Sequence, residues 1–81
     1  MTVRVLFFAE ARERVGRGEL AVELESTATL AELCRYLTEQ YPRLGEMLPR
    51  CQIARNGVVA NATEPIREGD ECAILPPVSG G

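Results

Sequence analysis

The sequence predicts a single α+β domain with one main helix packed on one face of a mixed β-sheet. Three observations carry that expectation. Runs rich in β-branched, aliphatic and aromatic residues, at 3–9 and 71–75, open and nearly close the chain. Between them lies one stretch with helical spacing of its apolar residues. The length of 81 residues leaves room for one core only.

Taken in order, Val3 to Ala9 reads as a first strand. Val3, Val5 and Phe7 fall on one side and Arg4, Leu6 and Phe8 on the other. A one-residue slip in register would exchange the roles of Phe7 and Phe8. The charged stretch from Glu10 to Gly18, with Gly16 and Gly18 allowing a turn, reads as a solvated loop. Glu19 to Glu25 alternates Leu20, Val22 and Leu24 against Glu19, Ala21, Glu23 and Glu25, the pattern of a half-buried strand antiparallel to the first. Thr29 and Glu32 then form a capping box, and Leu30, Leu33, Cys34, Leu37 and Tyr41 make a single apolar stripe. Pro42 ends that helix by disfavouring helical geometry in the residue before it.

A connection containing Gly45 and Pro49 leads to a strand from Cys51 to Arg55. Asn56-Gly57 is a hairpin turn signal, because both residues tolerate positive φ. Val58 to Ala60 returns, and Glu68-Gly69-Asp70 turns into a last strand, Glu71 to Leu75, which Pro76-Pro77 must stop. This order packs most simply as one helix on a mixed sheet, and it becomes a β-grasp if the first and last strands are parallel neighbours. The domain is therefore expected over 1–75, with 76–81 as an extended, flexible tail.

Composition narrows the function. A net charge of −3 and a pI near 4.9 argue against nucleic acid, which calls for a basic stripe. No run approaches the roughly 18 apolar residues of a membrane span, and residues 5–9 lack the flanks of a signal peptide. A soluble, cytoplasmic protein is expected, with no membrane partner. The three cysteines at 34, 51 and 72 are widely spaced among apolar residues, which suits buried thiols rather than a disulfide framework or a metal site. There is no histidine, so no Ser-His-Asp or Cys-His nucleophile system is available. The chemistry is expected to lie in the main chain or in a partner.

The tail offers such a group. Pro76 and Pro77 make a stiff base, and Val78-Ser79-Gly80-Gly81 tapers to no side chain. From Leu75 to Gly81 the arm could reach roughly 20 Å. A slim tip on a stiff base suits insertion into a narrow channel, with the terminal carboxylate of Gly81 as the reacting group.

The opening 5–13, Val-Leu-Phe-Phe-Ala-Glu-Ala-Arg-Glu, with Gly16 after it, and the ending from Gly69-Asp70-Glu71 through Ile74-Leu75-Pro76-Pro77-Val78-Ser79-Gly80-Gly81 resemble the small subunit of molybdopterin synthase, the MoaD-type sulfur carrier. Ala54-Arg55-Asn56-Gly57 keeps the Asn and the turn of that family. The resemblance spans essentially the whole chain and implies a ubiquitin-like β-grasp. It also implies a mechanism. A ubiquitin-activating-like adenylyltransferase, using ATP with Mg, adenylates the Gly81 carboxylate; sulfur then displaces AMP to leave a thiocarboxylate. The tail, from Pro76 to Gly80, enters the large subunit of molybdopterin synthase and donates sulfur to a cyclic pyranopterin precursor. Two small and two large subunits make the heterotetramer. By this reading the chain is the sulfur-donating half of a sulfurtransferase, not catalytic alone, with no cofactor or metal of its own.

If Val3, Val5, Phe7, Cys72 and Ile74 face the helix, then Leu6, Phe8, Ala73 and Leu75 share the opposite face and are expected to dock the large subunit, with Phe8 and Leu75 as anchors. Arg12, Arg14 and Arg17 form a basic cluster, diluted by Glu10, Glu13 and Glu19. Three alternatives stay open: a sulfur carrier for thiazole, cysteine or tRNA thiolation, a ubiquitin-like protein modifier joined through Gly81, and a non-covalent binding module with an incidental tail.

Overall fold

A computed structural model describes residues 1–77. Alternating valines in a β-branched run give β1 (Thr2–Phe7), and the Leu20-Ala21-Val22 alternation gives β2 (Glu19–Glu23). The pair is antiparallel, with Val3 opposite Val22 and Val5 opposite Leu20. The long helix, α2 (Leu30–Gln40), starts where Thr29 Oγ1 accepts the Glu32 N–H at 3.4 Å. Two more of its free N–H groups are taken from outside the helix, by the carbonyls of Glu64 and Ala62 at 3.0 and 2.9 Å. Then come β3 (Gln52–Arg55), β4 (Val58–Ala60) and β5 (Glu71–Leu75). The hairpin turns on Asn56 and Gly57, at φ 51° and 85°, as the Asn-Gly pair requires.

The five strands lie in the order β2-β1-β5-β3-β4. β5 runs parallel to β1, with Phe7 beside Ile74, and antiparallel to β3. First and last strands are thus central, parallel neighbours, and the fold is a β-grasp. α2 supplies Leu30, Leu33 and Leu37 to a core completed by Val3, Val5, Phe7, Val22, Cys72 and Ile74. Each such aliphatic or aromatic side chain, fully buried, stabilises by about 1.5–3 kcal/mol. Phe7 is 2% exposed and Phe8 47%, which settles their register.

Three expectations need correction. β1 ends at Phe7 and β2 at Glu23, each two residues earlier than expected. Most of the charged loop is a helix, α1 (Ala9–Val15), which buries only Ala11 and stops at Gly16, at φ 86°. Pro42 ends α2 but also opens another short helix, α3 (Pro42–Gly45), because proline suits a first helical turn, where its missing N–H has no partner to lose. A 3-10 turn follows at Leu48–Arg50. Together these pieces bury Leu44, Met47 and Leu48 and close one end of the core.

Candidate functional site

The sheet face away from α2 follows from register. Leu6 pairs with Ala73, Ala73 with Ala54, and Ala54 with Val59, so these four side chains form one apolar row across the sheet. Leu75, opposite Gln52, stands on the same face one step beyond. Phe8 continues the alternation of β1, since its backbone is still extended at φ −117° and ψ 154°. It lies level with Leu75, one step past the Phe7–Ile74 pair. The structure therefore brings Leu6, Phe8, Ala73 and Leu75 together. It adds Ala54 and Val59, which the sequence reading passed over. The Asn56-Gly57 turn sets residue 54 opposite 59, but only the pairing of β3 with β5 adds them to the row. Val59 is 56% exposed.

Charge borders the row on its other side. Arg4 lies between Glu19 and Glu71 at 3.2 Å from each, and Glu23 and Glu68 stand beyond it, against Thr2. The face thus passes from apolar near Leu75 to acidic near Met1.

The chain leaves β5 at the apolar end. Pro76 is half-buried and Pro77 exposed. Val78, Ser79, Gly80 and Gly81, expected to carry the chemistry, lie outside the described residues. Beside the exit, Ala9 turns the backbone from β1 into α1 at φ 48°, a left-handed conformation that costs an alanine about 1 kcal/mol. Of the basic cluster, Arg14 is engaged rather than free: it bonds Glu10 at 2.6 Å and donates to the Arg43 carbonyl at 2.8 Å.

The start of β5, at the end of the strand away from the exit, is held in register by a buried carboxylate. Asp70, 8% exposed, accepts from Arg55 Nε at 2.9 Å, Asn56 Nδ2 at 2.9 Å and the Arg67 N–H at 2.8 Å. Asn56 Oδ1 in turn accepts the Glu71 N–H at 2.9 Å, fixing where β5 begins. Among the described residues no group of three or more His, Cys, Asp or Glu is placed to hold a metal ion. The three cysteines are free; Cys72 is buried as expected, while Cys34 and Cys51 are only partly so. Those two line a groove of about 360 Å³ between α2 and β3–β4. Among the described residues the arrangement is an apolar sheet face beside the point where the chain leaves β5.

Against known proteins, a family model described as the ThiS family matches residues 5–81. The chain belongs to the ThiS family. A molybdopterin synthase sulfur carrier subunit from Chlamydomonas reinhardtii is 36% identical over 83 residues, covering all of both chains. Among solved structures, one chain of the protein–protein complex of subunits 1 and 2 of molybdopterin-converting factor from Helicobacter pylori matches the whole of this ThiS-family chain, and is itself wholly covered, at TM-score 0.72 and 32% identity. The crystal structure of SAMP1 from Haloferax volcanii, also covered in full on both sides, matches at TM-score 0.88 and 30% identity. The ubiquitin-like β-grasp that the sequence resemblance implied is the fold observed.

Proposed function

We propose that this ThiS-family chain is the sulfur-carrier subunit of a molybdopterin synthase. The observation that carries the reading is the full-length match to subunits of that name, in a chain that ends Pro-Pro-Val-Ser-Gly-Gly and whose last strand finishes beside an apolar face. In this reading the large synthase subunit seats on Leu6, Phe8, Ala73 and Leu75, and the tail passes into its active site. A cytoplasmic, ubiquitin-activating-like adenylyltransferase first converts the Gly81 carboxylate to an acyl adenylate, with ATP and Mg as its own requirements.

The chemistry fits the residues. A carboxylate is a poor electrophile because its charge repels nucleophiles, and AMP gives it a leaving group. Sulfur displacing AMP leaves a thiocarboxylate, an anion with a polarisable, nucleophilic atom. The acids, bases and cations for the transfer then belong to the partners, consistent with a chain that has no histidine. Two carriers and two large subunits complete the proposed heterotetramer.

Intact mass spectrometry after incubation with the adenylyltransferase, ATP and a sulfur donor tests this reading. Replacement of one terminal oxygen by sulfur is expected, and deletion of Gly81 should abolish it while leaving the fold intact. Sulfur transfer by the truncated chain would falsify the mechanism. The likeness to SAMP1 favours a second reading, a protein modifier; discrete conjugates with other proteins in the same incubation would select it.

A further inference from the structure

The sequence holds nine arginines and no lysine. For a protein whose C-terminus is to be activated, that choice of cation has a chemical consequence. We infer that this chain is a donor only: its activated C-terminal acyl group has no competent acceptor among its own side chains. The inference rests on the proposed activation of Gly81 and deepens it.

Amines are the first acceptors to consider. A lysine ε-amine is deprotonated in about one molecule in a few thousand at neutral pH, enough to attack an acyl adenylate held within reach. A guanidinium stays protonated and has no free lone pair. Arg50 shows what this means at the tail root. It stands two residues before Gln52, the partner of Leu75 in the sheet, and so borders the point where the tail departs. A cation is kept there without a nucleophile.

The Met1 amine is remote. β1 and β5 run parallel, so Met1 lies at the end of the sheet away from the exit, where its amine donates to the Leu24 carbonyl at 2.6 Å. Seven residue steps separate Met1 from Phe8, which is level with Leu75; at 3.3 Å each they span about 23 Å. The six residues after Leu75 cover at most about 22 Å by any path. That amine sits at or past the limit of reach.

Hydroxyls are far weaker nucleophiles at neutral pH, so thiols are the acceptors left to weigh, and burial blunts all three. Cys72 is buried under the sheet. Cys34 and Cys51 are partly buried, and Cys51 donates to the Met47 carbonyl at 3.3 Å. Burial raises the pKa of each, which keeps the thiolate fraction low. A carrier so built holds its activated end until a partner takes it. As a modifier it would offer no lysine on which an isopeptide-linked chain of its own copies could be built.

The test activates the C-terminus without the adenylyltransferase, so that its outcome is independent of whether that enzyme recognises the chain. The protein is released from an intein fusion with 2-mercaptoethanesulfonate as a C-terminal thioester and followed by intact mass spectrometry at mildly alkaline pH. The wild-type chain is expected to hydrolyse to the free acid only. In Arg50→Lys, the introduced amine attacks the thioester carbonyl, expels mercaptoethanesulfonate and loses a proton. The amide formed, within one chain or between two, should exceed any wild-type product by about 10-fold or more. Wild-type amide formation at a comparable rate, or a hydroxylamine-sensitive linkage to a cysteine, would overturn the inference. So would the absence of linked product from both chains, since protection would then not come from the missing lysine. Failure of the adenylyltransferase to act on the untreated chain would instead remove the activation reading.

Discussion

Asp70 illustrates how much one residue can hold. Burial by itself pushes its carboxyl pKa up, but hydrogen bonds from the Asn56 amide, the Arg67 N–H and the Arg55 guanidinium, with the charge of Arg55, outweigh burial and hold it below the usual carboxylate value. A carboxylate with a depressed folded pKa stabilises the fold fully above its unfolded value, near 3.9, and loses that contribution as pH falls through the lower folded value. Asp70→Asn should therefore cost about 2–4 kcal/mol at neutral pH and flatten the acid limb of stability below about pH 4. Urea unfolding of both proteins across that range measures it; parallel curves would exclude Asp70 as the source. Cys72 gives a second prediction at this scale. Burial, with Asp70 beside it, pushes its thiol up to about 11. In the native protein a thiol reagent should reach Cys34 and Cys51 first, and Cys72 only on unfolding.

Between elements, α3 approaches α2 closely at Gly45. A Cβ at Gly45 would stand 2.5 Å from Thr38 Cγ2, and Thr38 has little freedom to yield because its Oγ1 donates to the Cys34 carbonyl at 2.8 Å. Helix propensity alone favours alanine over glycine by up to about 1 kcal/mol. The clash should reverse that sign, and Gly45→Ala is expected to destabilise by about 1–3 kcal/mol. Thr38→Ala in the same background should recover part of the loss, read from a double-mutant cycle in denaturant. The same pair of helices shows why legibility was uneven. β1, β2, α2, the hairpin and β5 could be read because each carries a periodic apolar pattern or a turn with a steric requirement. α1 could not: it buries one residue, its cap Phe8 makes no side-chain hydrogen bond, and its charges suit a loop equally well. α3 was hidden because a proline that terminates one helix can open the next. At the docking face, Leu6, Phe8, Ala73 and Leu75 followed from alternation along two strands. Ala54 and Val59 needed the order of strands across the sheet, a long-range fact that local periodicity does not contain.

For the molecule as a whole, the β-grasp separates two tasks. The α2 side buries the core, while the other side leaves an apolar row that ends at the tail root, with acidic residues beyond Arg4. A partner gripping Leu75 and Phe8 would fix the place from which the tail departs, so docking and insertion become one event. Leu75→Asp tests that coupling directly. The substitution puts a charge on the half-buried anchor, and truncating or charging such a residue at an interface commonly costs about 2 kcal/mol or more, roughly a 30-fold loss of affinity. Val58→Asp is the matched control: Val58 is 69% exposed, but its register with Arg55 and Cys72 places it on the opposite face. Titration calorimetry with the large subunit should therefore show weakened binding for Leu75→Asp and near wild-type binding for Val58→Asp, with circular dichroism confirming that both are folded. Equal affinities for the two variants would mean that the tail docks without the sheet face, and the row would lose its proposed role as the handle.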